Sequence, residues 1–297
     1  MIGFLFPGQG SQRRGMGEEL FDEVPEYSIL EPQIDAIVGY SMRRLCQEDT
    51  DNKLRETQFT QPCLYVTNAL HYYKTIREGR SPRYLAGHSL GEYNALLAAG
   101  AFDFMTGLRL VKKRGELMSQ AKNGGMAAIL GLPASLIKQV LKDSELNSID
   151  IANFNSPSQT VISGSLDDIQ QSIPLLERAG AKTCLPLPVS KAFHSHYVAD
   201  TATEFADFLA PLNFIAPKIP VISNVTASPY PIDNASESIK SLLVRQITHS
   251  VNWMQSIQFL INKGVTQFHE IGPGHVLTKL MQQIQQQQTT EELLNIA

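Results

Sequence analysis

Gly87-His88-Ser89-Leu90-Gly91 is a Gly-x-Ser-x-Gly pentapeptide. An apolar lead-in, Tyr84-Leu85-Ala86, precedes it and a helix-forming run, 91–99, follows. A serine pinned on a sharp strand-to-helix turn has its hydroxyl lifted out of the sheet. Glycines two residues to either side relieve crowding at such a turn. The helix start just beyond aims backbone N–H groups at developing negative charge. With strand and helix signals on both flanks, the pentapeptide points to Ser89 as a nucleophile rather than to a bare Gly-rich turn.

A serine hydroxyl needs a base, and histidine is the usual one near neutral pH. The chain has seven. His88 adjoins Ser89 on a strand, where neighbouring side chains face opposite ways, so it is given a structural place. His71 in an early helix and His269 in the last strand read as packed or surface residues. His194 and His196 lie in Pro188-Val189-Ser190-Lys191-Ala192-Phe193-His194-Ser195-His196. His194 is preferred, but spacing alone leaves both open.

A helix is predicted over 104–120, with Asp103 as its N-cap. Gly107, Val111, Arg114 and Met118 share one stripe of it. An inward arginine is costly unless paired. Its partner is either one of the 29 acids or a ligand carboxylate gripped through two parallel hydrogen bonds. The loop 6–12 carries Gly8 and Gly10, which let backbone N–H groups approach a ligand, although an ordinary turn would look the same.

These residues need a scaffold. The first half of the chain alternates strand (2–6), helix (68–77), strand (84–88) and helices (91–99 and 104–120), the pattern of a mostly parallel sheet flanked by helices. Asn123-Gly124-Gly125 breaks it. A βαββαβ unit follows: strands at 126–130, 149–153, 160–163 and 183–187, helices at 134–142 and 166–179, and a turn at 155–158. That order is ferredoxin-like. The expected organisation is a discontinuous large domain, 1–123 and 189–297, with a small domain at 124–188. Strands at 219–222 and 267–271 return to the large sheet. The Gln-rich tail 282–288 either prolongs a helix or frays, and no chemistry is assigned to it.

The chain of 297 residues carries a formal charge of −4, without the basic field of a general nucleic-acid binder. Cys46, Cys63 and Cys184 form no paired motif and suit a reducing cytosol. No Cys/His cluster has zinc spacing. The apolar start, Met1 to Gly8, lacks the basic region and cleavage end of a signal peptide and reads as a buried strand. No window approaches the ~20 apolar residues of a membrane span. A cytoplasmic location is expected.

Together the motifs resemble the malonyl-CoA:acyl-carrier-protein transacylases and the free-standing acyltransferases that serve polyketide synthases. The match runs over nearly the whole chain: FPGQGSQ (6–12), GHSLGEY (87–93), Arg114-Gly115, NFNSP (153–157), LPLPVSKAFH (185–194), VRQ (244–246), VNW (251–253) and EIGPG (270–274). The resemblance implies an α/β-hydrolase-like large domain with a ferredoxin-like insertion. It implies an acylated Ser89 and His194 as base, oriented by the backbone carbonyl of Gln246. It also implies an oxyanion hole from the N–H groups of Gln9 and Leu90, and Arg114 as the grip on the malonyl carboxylate. Leu90 and Phe193 resemble relatives that choose malonyl over methylmalonyl, and 192–195 leans toward polyketide-type relatives. The implied substrates are malonyl-CoA and an acyl carrier protein, with no bound cofactor or metal, and the family default is a monomer. An acyl hydrolase that clears carrier proteins is the alternative, and such relatives tend to lack the arginine. Carrier docking would use basic residues such as Arg13-Arg14, Lys112-Lys113, Lys182 or Lys191.

Overall fold

The computed structural model describes residues 1–296, with side chains through residue 287. Strand β1 (Ile2–Phe6) leads into three N-terminal helices, α1 (Leu20–Glu23), α2 (Pro25–Val38) and α3 (Met42–Glu48). Then come α4 (Thr57–Arg77), β2 (Tyr84–Gly87), α5 (Gly91–Ala98) and α6 (Phe104–Gln120). The middle of the chain holds β3 (Gly125–Leu130), α7 (Ala134–Asp143), β4 (Asp150–Ser156), β5 (Gln159–Gly164), α8 (Leu166–Arg178) and β6 (Thr183–Pro186). It closes with α9 (Ala199–Leu209), β7 (Val221–Ile222), α10 (Ala235–Thr248), α11 (Trp253–Asn262), β8 (Gln267–Glu270) and α12 (Val276–Ile296).

Two sheets result. The first is parallel throughout, in the order β7-β2-β1-β8. Alternation along β1 sends Phe4 and Phe6 into one apolar cluster with α4, α5 and α6, and Leu5 into another with Trp253, Ile257 and Leu277. Both faces are therefore covered, as a parallel sheet requires. The second sheet is antiparallel, in the order β4-β5-β3-β6, with α7 and α8 on one face. This is the ferredoxin-like arrangement. Its other face gives Met126, Ala128, Ala152 and Val161 to the large core. Its edge is tied there too: Phe154 N–H donates to Val251 C=O at 3.0 Å and Val251 N–H to Ala152 C=O at 2.8 Å. Among the described residues no helix is long and apolar enough to cross a membrane.

Two expectations change. The predicted helix at 68–77 is only the end of α4, which begins at Thr57. Every residue from Thr60 to Leu70 is buried, so this stretch lacks the one-sided stripe that betrays a surface helix. The predicted turn at 155–158 shrinks to Pro157-Ser158, because β4 runs on to Ser156. The Gln-rich tail continues α12.

Candidate active site

The strand β2 ends at Gly87, α5 begins at Gly91, and Ser89 stands at the tip with φ +50°. Both glycines are sterically required. A Cβ on Gly87 would lie 2.0 Å from the Gly91 carbonyl, and one on Gly91 would lie 2.0 Å from the Phe6 carbonyl oxygen. A left-handed backbone at a residue with a side chain costs about 1–2 kcal/mol and needs support. Asn224 and Gln246 supply it. Ser89 N–H donates to Asn224 Oδ1 at 2.7 Å, Asn224 Nδ2 donates to Gly87 C=O at 2.6 Å, and Gln246 Nε2 donates to Ser89 C=O at 2.9 Å.

His194 follows β6, itself at φ +57° and 5% exposed. Its Nε2 is 2.9 Å from Ser89 Oγ and its Nδ1 2.8 Å from the Gln246 carbonyl oxygen. A carbonyl only accepts, so Nδ1 carries the proton and Nε2 presents a lone pair to the hydroxyl. Burial, then the nearby Arg114 charge, pull the ring's pKa down from 6.5 to about 3. The imidazole is neutral at neutral pH, the form that can take a proton. His196 turns away: it is exposed, and its Nδ1 lies 2.7 Å from Asp150 Oδ2. His88 is half-buried, with Nε2 2.9 Å from Asn155 Oδ1, and packs on Trp253.

Arg114 projects from the buried face of α6, which Asp103 caps through a 2.7 Å bond from Thr106 N–H. It is 1% exposed. Nη1 donates to Gln61 Oε1 at 2.9 Å, and Nη2 to Gln246 Oε1 at 3.0 Å and to Ser89 Oγ at 3.1 Å. Nε has no partner, and the guanidinium lies over the Tyr93 ring. Among the described residues no acid comes within 4.0 Å of it.

The loop after β1 presses on the nucleophile turn. A Cβ on Gly8 would stand 2.3 Å from the His88 carbonyl oxygen. Gln9 is anchored by Nε2 donating to Thr57 Oγ1 at 3.2 Å. Neither the Gln9 nor the Leu90 backbone N–H is used in the turn and loop bonding. Both residues line a cavity of about 560 Å³ with Gln61, Ser89, Arg114 and His194, and Met118, Met126, Leu187 and Phe193 supply apolar wall. A second cavity, about 440 Å³ and bordered by Lys138, Lys142 and His249, touches His194 but not Ser89.

The structure thus brings Ser89, His194, Arg114, Gln246, Gln9 and Leu90 to one place. Gln61, Asn224, Asn155, Tyr230 and Glu92 join them without having been singled out in the sequence. Glu92 and Asn155 lay inside quoted motifs. The others had no local signal, because their bonds reach across the chain.

A serine facing a neutral histidine, with spare backbone donors beside it, is the machinery of covalent acyl transfer. Comparison with known proteins agrees. Residues 3–295 match the family described as the acyl transferase domain. The chain belongs to that family. It is 54% identical over 286 residues, 96% of each chain, to the polyketide biosynthesis malonyl CoA-acyl carrier protein transacylase BaeC of Bacillus velezensis. The crystal structure of malonyl CoA-acyl carrier protein transacylase from Burkholderia pseudomallei superposes with a TM-score of 0.90 at 46% identity, covering 97% of this chain and 98% of that one. A malonyl-transacylase solved with its holo type II polyketide carrier protein, PlMCAT:AntF, superposes with a TM-score of 0.89 at 35% identity, covering 95% and 92%.

Proposed function

We propose that this protein moves a malonyl group from malonyl-CoA to the phosphopantetheine thiol of an acyl carrier protein, through a malonyl ester on Ser89, in polyketide or fatty-acid synthesis. His194 Nε2 takes the hydroxyl proton as Ser89 Oγ attacks the thioester carbonyl. The N–H groups of Gln9 and Leu90 receive the oxyanion, each worth ~3 kcal/mol in such sites. The C–S bond breaks and the thiolate leaves with the proton from His194. The carrier's thiol then gives its proton to His194, its sulfur attacks the ester, and Ser89 leaves with the proton restored. Every proton is accounted for by protein groups and the two thiols. The neutral ring of His194 and the Gln246 carbonyl do without a triad acid.

The observation that carries the malonyl assignment is Arg114. It is a buried cation bonded only to neutral oxygens, its Nε without a partner, and its Nη2 lies 3.1 Å from Ser89 Oγ. A substrate carboxylate would complete it through charged bonds stronger than those to the amides. The relatives' activity and the neighbour's docked carrier support the same donor and acceptor. The reading includes a monomer working in the cytoplasm without a resident cofactor, and domain limits at 1–123 with 189–297 and at 124–188. Of the candidate docking cations, Lys112 is paired with Glu116, and Lys191 is held by Ala121 C=O and Asn123. Arg13, Arg14 and Lys182 are exposed.

The test is labelled malonyl-CoA with and without holo carrier protein, followed by intact mass. Label on the carrier, and a protein adduct absent in Ser89→Ala, is the expected result. Label released only as free malonate would make the protein an acyl hydrolase and end the proposal.

A further inference from the structure

Glu92 is the second residue of α5, 0% exposed, and takes no part in the steps above. Three donors converge on its carboxylate. Tyr230 O–H reaches Oε1 at 2.5 Å, Asn224 N–H reaches Oε1 at 3.2 Å, and Gln246 Nε2 reaches Oε2. The last two belong to the residues that grip Ser89 from either side. Gln246 is the link that matters. Its Nε2 hydrogens go to Glu92 and to Ser89 C=O, so its Oε1 has to face Arg114 Nη2.

We propose that Glu92 is a positioning residue for carboxylate selection: by taking one Gln246 amide hydrogen, while Ser89 C=O takes the other, it turns a neutral oxygen toward Arg114, aiming the guanidinium without placing a charge on it. A carboxylate at the position of the Gln246 amide would pair with Arg114 directly and block the substrate. A reversed amide would point N–H at N–H and push the guanidinium away. The acid thus stands one residue back, where it fixes geometry and leaves the cation exchangeable. The inference rests on the malonyl reading of Arg114.

Glu92→Gln poses the question sharply. A glutamine brings one acceptor and one donor end where three donors converge. With its amide nitrogen at the Oε1 position it faces Asn224 N–H, which cannot accept. With the nitrogen at Oε2 it forces the Gln246 amide to reverse. Three measurements are compared with wild type: malonyl transfer, acetyl transfer, and labelling of Ser89 by a fluorophosphonate, which needs the nucleophile and base but no carboxylate grip. KM for malonyl-CoA is expected to rise roughly tenfold, the effect of one buried donor left unpaired. The malonyl-to-acetyl preference is expected to fall and fluorophosphonate labelling to stay within about threefold, since Ser89 N–H keeps its bond to Asn224 and His194 its bond to the Gln246 backbone carbonyl. A lower or unchanged KM would show that Glu92 acts only as a competing charge or not at all, and the proposal fails. Equal losses in all three would make Glu92 a fold support, and the proposal also fails. Should Glu92→Gln not fold, Tyr230→Phe removes one donor and keeps the acid. The same direction of KM at smaller size supports the proposal, and no change in KM overturns it. Wild-type protein that labels with fluorophosphonate yet transfers no malonyl sinks the malonyl reading itself, a result separate from any variant pattern.

Discussion

Arg114 Nη2 donates to Ser89 Oγ at 3.1 Å, so the buried cation and the hydroxyl opposite His194 share one hydrogen bond. The two residues leave α6 and the β2–α5 turn and meet inside the cavity. A carboxylate drawn to the guanidinium would be delivered beside the hydroxyl, so that binding would also align it.

Arg114→Ala is expected to lower malonyl transfer ~100-fold, the loss of a charged bidentate grip worth ~3 kcal/mol, while acetyl transfer falls much less. Arg114→Lys should not restore it, because an ammonium lacks the planar fork. Steady-state rates with the two acyl-CoAs decide this. Equal proportional losses would mean that Arg114 holds the fold and not the substrate.

Ser89 at φ +50° is under backbone strain. Ser89→Ala keeps the strain and Ser89→Gly relieves it, so the glycine variant should be the more stable of the two by about 1 kcal/mol. Urea unfolding of the pair measures it. Equal midpoints would show that the turn is not strained.

Gly8→Ala places a methyl 2.3 Å from the His88 carbonyl oxygen and must lift the loop that carries Gln9. The expected outcome is a kcat lowered ~10- to 100-fold, from a displaced oxyanion donor. KM for malonyl-CoA should change little, since Arg114 is untouched. A rise in KM with kcat intact would place the loop in substrate binding instead.

Stability should depend on pH through groups of opposite sign. His194, at about 3 against 6.5, and His71, at about 4 through burial, bind protons less readily when folded. Their contribution is complete above pH 6.5 and is lost as pH falls toward those values. Glu92, raised by burial from 4.5 to about 7, has the reverse sign: its contribution is complete below 4.5 and is lost as pH rises through about 7. Removing the opposing group should therefore steepen the acid-side loss. Urea midpoints from pH 6.5 to 4.5 should fall more steeply in Glu92→Gln than in wild type, and a shallower fall would contradict the assignment.

What could be seen in the chain alone was whatever repeats over a few residues. Gly87, Ser89 and Gly91 announce a strand-to-helix turn, because the crowding they relieve is local. The stripe of α6 put Arg114 inward before any partner was known, since helical period fixes which side chains share a face. The ferredoxin-like order followed from alternating strand and helix signals. Tertiary structure decided the rest. His194 and His196 are two residues apart, and only the packing of their segment against α10 sends one to Ser89 and the other to Asp150. The N-terminal half of α4 was invisible because it is buried all round. Asn224 and Gln246 grip Ser89 from 135 and 157 positions away. Sequence sets which groups a residue can offer; only the stacking of strands and helices brings a donor on one within 3 Å or so of an acceptor on another.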